Sequence, residues 1–192
     1  NAHVLTPRMI PGLPPPDPLI TQPAYLDGWD TTLVIGAVPA QAPSGVPGWT
    51  ELQSGGVPNR LDAALVQLDV GAELEQLGLG EQGTTIGEAS LGRRVRKSGR
   101  TSGVTEGVIF LVDATISVQY RHGICLLTGQ VGLRPAMLSP GDSGSCIMDA
   151  ETNQLVALGF AAGGDNGWAT PMGAVLEHFG IALPPQDGAP VA

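Results

Sequence analysis

Glycine and proline punctuate this chain so densely, 28 and 17 among 192 residues, that long helices have no room to form. Proline removes a backbone donor and fixes φ, while glycine loses the most backbone entropy when it is ordered in a helix or strand. What remains is a succession of short strands joined by turns, so the expected fold class is all-β. The length suits one good core or two small ones. Hydrophobic residues make up 42% and charged residues 14%, which excludes a disordered chain, and no apolar run is long enough to span a bilayer as a helix. A net charge of −9 argues against nucleic acid as a partner, because neutralising phosphates needs a basic face. No membrane partner is expected either.

Along the chain, seven prolines between Pro7 and Pro23 make an extended surface loop. Leu33 to Val38 reads as a strand, and a second Pro/Gly-rich loop runs from Pro39 to Pro58. Asp62 opens the strand-like run Ala63 to Leu68, and Glu73 to Gly80 reads as one helical turn or as a link between two halves. Arg93-Arg94-Val95-Arg96-Lys97 is the one basic cluster, read as strand residues with local partners. Gly103 to Val112 and Ala114 to Tyr120 read as two strands joined near Asp113, with Ile124 to Thr128 as a third. A hairpin follows, turning at Asp149 to Asn153 and returning through Gln154 to Phe160. His122 reads as a solvated turn residue, and His178 belongs to a C-terminal amphipathic helix. Cys125 and Cys146 lie on strands that could be neighbours; a disulfide would fit, but two cysteines without a visible export signal read more simply as buried thiols. That reading leans toward a cytoplasmic protein. No Cys/His cluster has metal-ligand spacing, so no metal and no cofactor is expected.

The chemistry concentrates in Ser139-Pro140-Gly141-Asp142-Ser143-Gly144-Ser145. A glycine turn there would present Ser143 to a substrate carbonyl, but a serine hydroxyl needs a base to take its proton and donors for the oxyanion. Of three histidines, His3 sits in a short apolar run, and an acid in apolar company follows at Asp62. The order His3, Asp62, Ser143 is one of the known triad orders. An α/β-hydrolase elbow fits less well, since Ser145 replaces its second glycine and strand rather than helix follows Ser143.

Five stretches carry a resemblance: Ala2-His3-Val4-Leu5, Leu61-Asp62-Ala63-Ala64-Leu65, Val95 through Gly103, Pro140 through Ser145, and Ala169-Thr170-Pro171-Met172. Through them the chain resembles the chymotrypsin-like (trypsin family) serine proteases of bacterial type and is similar to the plant narrow-leaf protease. The resemblance implies two six-stranded antiparallel Greek-key barrels packed together, with a short C-terminal helix. Residues 1–85 would form the first barrel, carrying His3 and Asp62; residues 86–183 the second, carrying Ser143; and residues 184–192 a tail. It further implies a serine endopeptidase acting on peptide or protein substrates, with the amides of Gly141 and Ser143 as the oxyanion hole. The pocket before the scissile bond would be walled by Met137, Leu138, Ser139 and Pro140, by Phe160, Ala161, Ala162 and Gly163, and by Gly167, Trp168, Ala169 and Thr170. Met137 stands where a trypsin carries aspartate, so cleavage after a neutral rather than a basic residue is expected. Lys97 matches an arginine that in bacterial relatives pairs with the aspartate before the nucleophile, which makes it the candidate partner of Asp142. Phe160 stands where the family usually has a serine bonded to the triad aspartate, leaving open how Asp62 is satisfied. A strand or two precede the histidine in the family, so the chain is expected to have been cut just before Asn1, by itself or otherwise, and to keep its own N-terminal segment as a partner. The competing expectation is a self-cleaving regulatory or scaffold module with little action on other proteins.

Overall fold

A computed structural model describes residues 19–21, 34–71 and 75–184. His3, most of the proline-rich segment and the tail from residue 185 lie outside the described residues.

The second half of the chain closes into a barrel. Its strands are β7 (Arg94–Gly99), β8 (Gly103–Tyr120), β9 (Gly123–Arg134), β10 (Cys146–Asp149), β11 (Leu155–Gly163) and β12 (Asn166–Pro171). They pair antiparallel in the order β12-β11-β10-β7-β8-β9, and β9 pairs back to β12, so six strands leave no free edge between them. Strand alternation sends Val95, Ile109, Val131, Leu133, Ile147, Val156 and Ala169 into the interior, each at most 1% exposed. Each large one contributes roughly 1.5–3 kcal/mol by leaving water.

The first half is built of smaller pieces. Three short strands, β1 (Leu19–Thr21), β2 (Val34–Ala37) and β4 (Gln67–Leu68), form a sheet in the order β1-β2-β4. β3 (Pro58–Asn59) instead joins the second barrel, running parallel to β9. A shared core ties the halves together: Ala42, Leu61 and Ala63 pack with Met148, Leu155 and with Met172, Val175 and Phe179 of helix α1 (Met172–Phe179). The helix stops at Gly180, whose φ of 68° is the left-handed conformation that a C-terminal cap requires.

Three expectations about elements need correction. The segment after Glu73 is a small hairpin, β5 (Glu75–Gln76) and β6 (Gly80–Glu81), and its described residues contain no helical turn. Glycines at φ near 79° at Gly78 and Gly80 favour a tight reversal over helix. Residues 103 to 120 form one strand, not two. Asp113 does adopt a positive φ of 51°, but register shifts around it absorb the irregularity while β9 keeps pairing from Val108 to Tyr120. Finally, of the run Ala63 to Leu68 only Gln67–Leu68 is regular strand, Ala64 making a single bridge to Trp49.

The basic cluster is locally partnered. Arg93 pairs with Asp149 at 3.0 Å, Arg94 with Glu106 at 3.6 Å and Arg96 donates to Asn153 at 2.5 Å. Both cysteines are free thiols, on strands that are not neighbours in the sheet. Burial pushes the Cys146 thiol up to about 12.

Candidate active site

The loop between β9 and β10 holds Ser143, and its shape is set by a buried acid. Asp142 Oδ1 accepts the amides of Thr101 (2.7 Å) and Ser102 (3.1 Å), while Oδ2 accepts the Ser139 amide (2.8 Å), the Ser102 hydroxyl (2.5 Å) and Lys97 Nζ (3.3 Å). Alternation along β7 explains the lysine: with Arg94 and Arg96 outward, Val95 and Lys97 point inward. Both members of the ion pair are fully buried. Lys97 Nζ also donates to the Ser102 hydroxyl and to Gly103 O. Burial alone would raise the Asp142 pKa, but the hydrogen bonds from Ser102, Ser139 and Thr101 outweigh it and hold the carboxyl well below the usual range.

Gly141 turns the chain at φ 101°, and a Cβ there would lie 2.4 Å from Thr101 Oγ1, so no other residue fits without a shift. The amides of Asp142, Gly144 and Ser145 donate to Ser139 O, Gly159 O and Asp142 O. Those of Gly141 and Ser143 donate to no described residue. Ser143 Oγ donates to Phe160 O at 3.1 Å.

Two cavities meet at Ser143. One, of about 260 Å³, is lined by Val118, Gln119, Tyr120, Leu138, Ser139, Pro140, Phe160, Ala161 and Ala162, none of them charged. The other, wider at about 880 Å³, lies toward the β5–β6 hairpin, with Gln76, Leu77, Gly78, Arg100 and Val104 among its walls.

Asp62 is fully buried, on a segment pinned from several sides. Asn59 Nδ2 donates to Leu126 O (3.0 Å), Gln130 Nε2 to Arg60 O (2.7 Å), and Thr50 Oγ1 accepts the Ala63 amide (3.1 Å). The Tyr120 hydroxyl donates to Asp62 Oδ2 at 3.0 Å.

No family model matches the sequence, and no curated protein matches it. Solved structures do. Cellulomonas bogoriensis chymotrypsin superposes with a TM-score of 0.55 at 22% identity, covering 79% of this chain and 90% of that one. Thermobifida fusca protease A gives 0.53 at 24%, covering 78% of each chain. A serine protease described as specific for glutamic acid, with a histidine triad in substrate binding, gives 0.56 at 19%, covering 79% of this chain and 74% of its own.

The fold is that of the chymotrypsin-like serine proteases.

Within the chymotrypsin-like frame, the expected site residues fall into three groups. Asp62 and Ser143 are linked through Tyr120, which touches the first and lines a cavity with the second; His3 lies outside the described residues. Leu138, Ser139, Pro140, Phe160, Ala161 and Ala162 do share the small cavity. Met137, Gly163, Gly167, Trp168, Ala169 and Thr170 do not line it. Met137 and Ala169 belong to the barrel core, Thr170 is buried against Gln130 (2.9 Å), and Trp168 packs near the Phe110 ring. Three lining residues, Val118, Gln119 and Tyr120, come from the far end of β8, where nothing but strand character is legible in the sequence.

Proposed function

We propose that this chain is a serine endopeptidase working through an acyl-enzyme, with Ser143 as nucleophile, His3 as general base and Asp62 as the group that orients it. The setting of Ser143 carries the reading: its hydroxyl stands where two cavities meet, on a loop fixed by Asp142 and beside the two amides of Gly141 and Ser143. In the proposed reaction the hydroxyl turns from Phe160 O toward the imidazole, which takes its proton as Oγ attacks the peptide carbonyl. The resulting oxyanion accepts from the Gly141 and Ser143 amides, an interaction of the kind whose loss lowers kcat by about 10² to 10³. The imidazolium then protonates the departing amine as the C–N bond breaks. Water repeats the sequence on the acyl-enzyme: it gives a proton to the imidazole, attacks the acyl carbon, and Ser143 leaves with that proton restored. Lys97 and Asp142 act beneath this chemistry by fixing the loop.

The small cavity supports a preference for a neutral, apolar side chain before the scissile bond. An acidic or basic side chain would lose its hydration there without meeting an opposite charge among the described residues. The glutamate-specific protease is described as using a histidine triad, whereas among the described residues no histidine lines this cavity.

The test is labelling of Ser143 with a fluorophosphonate, together with turnover of a peptide panel varied at the residue before the cut. Labelling and cleavage after apolar residues are expected, and Ser143→Ala should abolish both. Labelling without turnover of any separate peptide would favour a self-limited module. Absence of both would overturn the protease reading.

A further inference from the structure

The role of the serine that the pocket strand lacks falls to a residue on another strand. We propose that Tyr120 is a positioning residue for the catalytic acid: its hydroxyl holds the Asp62 carboxylate from the opposite half of the chain while its ring walls the small cavity beside Ser143. This rests on the protease reading above.

The geometry is specific. β8 is 18 residues long, and its far end with the start of β9 reaches beyond the second barrel to the first half. There the hairpin is anchored. Leu126 and Leu127 of β9 pair with Pro58 and Asn59, Cys125 bridges to Ser54, and His122 Nε2 lies 3.0 Å from Leu52 O. Tyr120 closes β8, stacked against the His122 ring with 6.0 Å between centroids, and packs with Leu52, Cys125 and Phe160. From that fixed ring the hydroxyl reaches Asp62 Oδ2 at 3.0 Å.

Burial, and then the charge and hydrogen bond of Asp62, raise the tyrosine pKa far above its ordinary value. The phenol therefore stays protonated and donates wherever the enzyme would work. A donor on one carboxylate oxygen fixes the plane of the group, and that plane decides where the other acceptor positions point. One residue thus joins the orientation of the acid to the shape of the substrate cavity.

Tyr120→Phe separates the two roles, because it removes the hydroxyl and keeps the ring. Expected is a fall in kcat of about 10- to 100-fold, the worth of a hydrogen bond to a charged group, with KM for an apolar peptide unchanged. Tyr120→Leu should lower kcat and raise KM as well. In an Asp62→Asn background the effect of Tyr120→Phe on the rate of fluorophosphonate labelling should shrink to nearly nothing. On the unaltered Tyr120, NMR should find a slowly exchanging hydroxyl proton that moves when Asp62 is replaced by asparagine. A kcat for Tyr120→Phe equal to that of the wild type, equal effects in both Asp62 backgrounds, or a hydroxyl proton indifferent to Asp62 would each overturn the inference. A wild-type chain that neither labels nor cleaves overturns the protease reading instead, so the two failures are distinct.

Discussion

Replacing Lys97 by methionine removes one charge of a fully buried ion pair while keeping all but the terminal atom of the side chain's reach. Asp142 is then a buried carboxylate whose remaining partners are two Thr101 and Ser102 amides, the Ser139 amide and the Ser102 hydroxyl. Breaking such a pair from one side costs about 3–5 kcal/mol, and the donors that stay put the expected loss at the lower end, about 3 kcal/mol. That is a large share of the roughly 5–15 kcal/mol that holds a domain together. Urea unfolding at neutral pH should show it as a lower midpoint at unchanged m-value. The pH dependence has a definite sign. Because the folded pKa of Asp142 is depressed, its contribution is complete above the unfolded carboxylate value and is lost as pH falls through the folded one. Protonation relieves the unpaired carboxylate of the variant but strands Lys97 in the parent, so the difference between the two should narrow on acidification. A difference under about 1 kcal/mol at neutral pH, or one that does not narrow, would refute the view that Lys97 acts through the charge of Asp142. If the pair also fixes the oxyanion loop, the variant should label at Ser143 more slowly than its parent while still folded.

Gly141→Ala forces a Cβ to within 2.4 Å of Thr101 Oγ1 and a side chain into φ 101°, so it should displace the amide proposed to face the oxyanion. A loss of about 10² or more in kcat, read by steady-state peptide cleavage, is expected with little change in KM. Ala161→Leu adds three carbons to a cavity of about 260 Å³ and should shift preference toward smaller side chains. The ratio of kcat/KM for phenylalanine over alanine substrates should fall on the order of 10-fold, as competition assays on paired peptides would show.

How much of this was legible in the sequence follows from how local each signal is. The β10–β11 hairpin was readable because its turn is written in the chain: Asp149 Oδ1 accepts the amides of Glu151 and Thr152, and Asn153 takes a left-handed φ of 61°. Asp113 carries the same kind of local signal and misleads, because pairing with β9 from Val108 to Tyr120, on both sides of it, turns a would-be corner into a bulge. The β5–β6 hairpin was hidden by leucines and glutamates whose helical propensity is overridden by Gly78 and Gly80. Ser143 and Asp142 stand in a motif, and Lys97 was reached through resemblance. Tyr120 left no trace, since the bond that gives it meaning joins residues 58 positions apart.

In the proposed mechanism two buried carboxylates would serve Ser143 in opposite ways, and the difference follows from their partners. Asp142 receives five donors, including a buried cation, from segments that all belong to the second barrel. Such an acid is a fixed point: it stays ionised and its loop has one shape. Asp62 sits on a segment of the first half anchored at Asn59 to Leu126 O, at Arg60 O to Gln130 of β9 and at Ala63 to Thr50, and its carboxylate meets a phenol brought across from β8. A phenol, being a neutral donor, can orient a carboxylate without itself cancelling the charge, which in the proposed mechanism would stabilise an imidazolium forming beside it. On the proposed mechanism the long hairpin would therefore be part of the catalytic geometry. Loosening its anchors, for example at His122 where it meets Leu52 O, should lower kcat through Asp62 while leaving the Asp142 loop, and hence the position of Ser143, as it was.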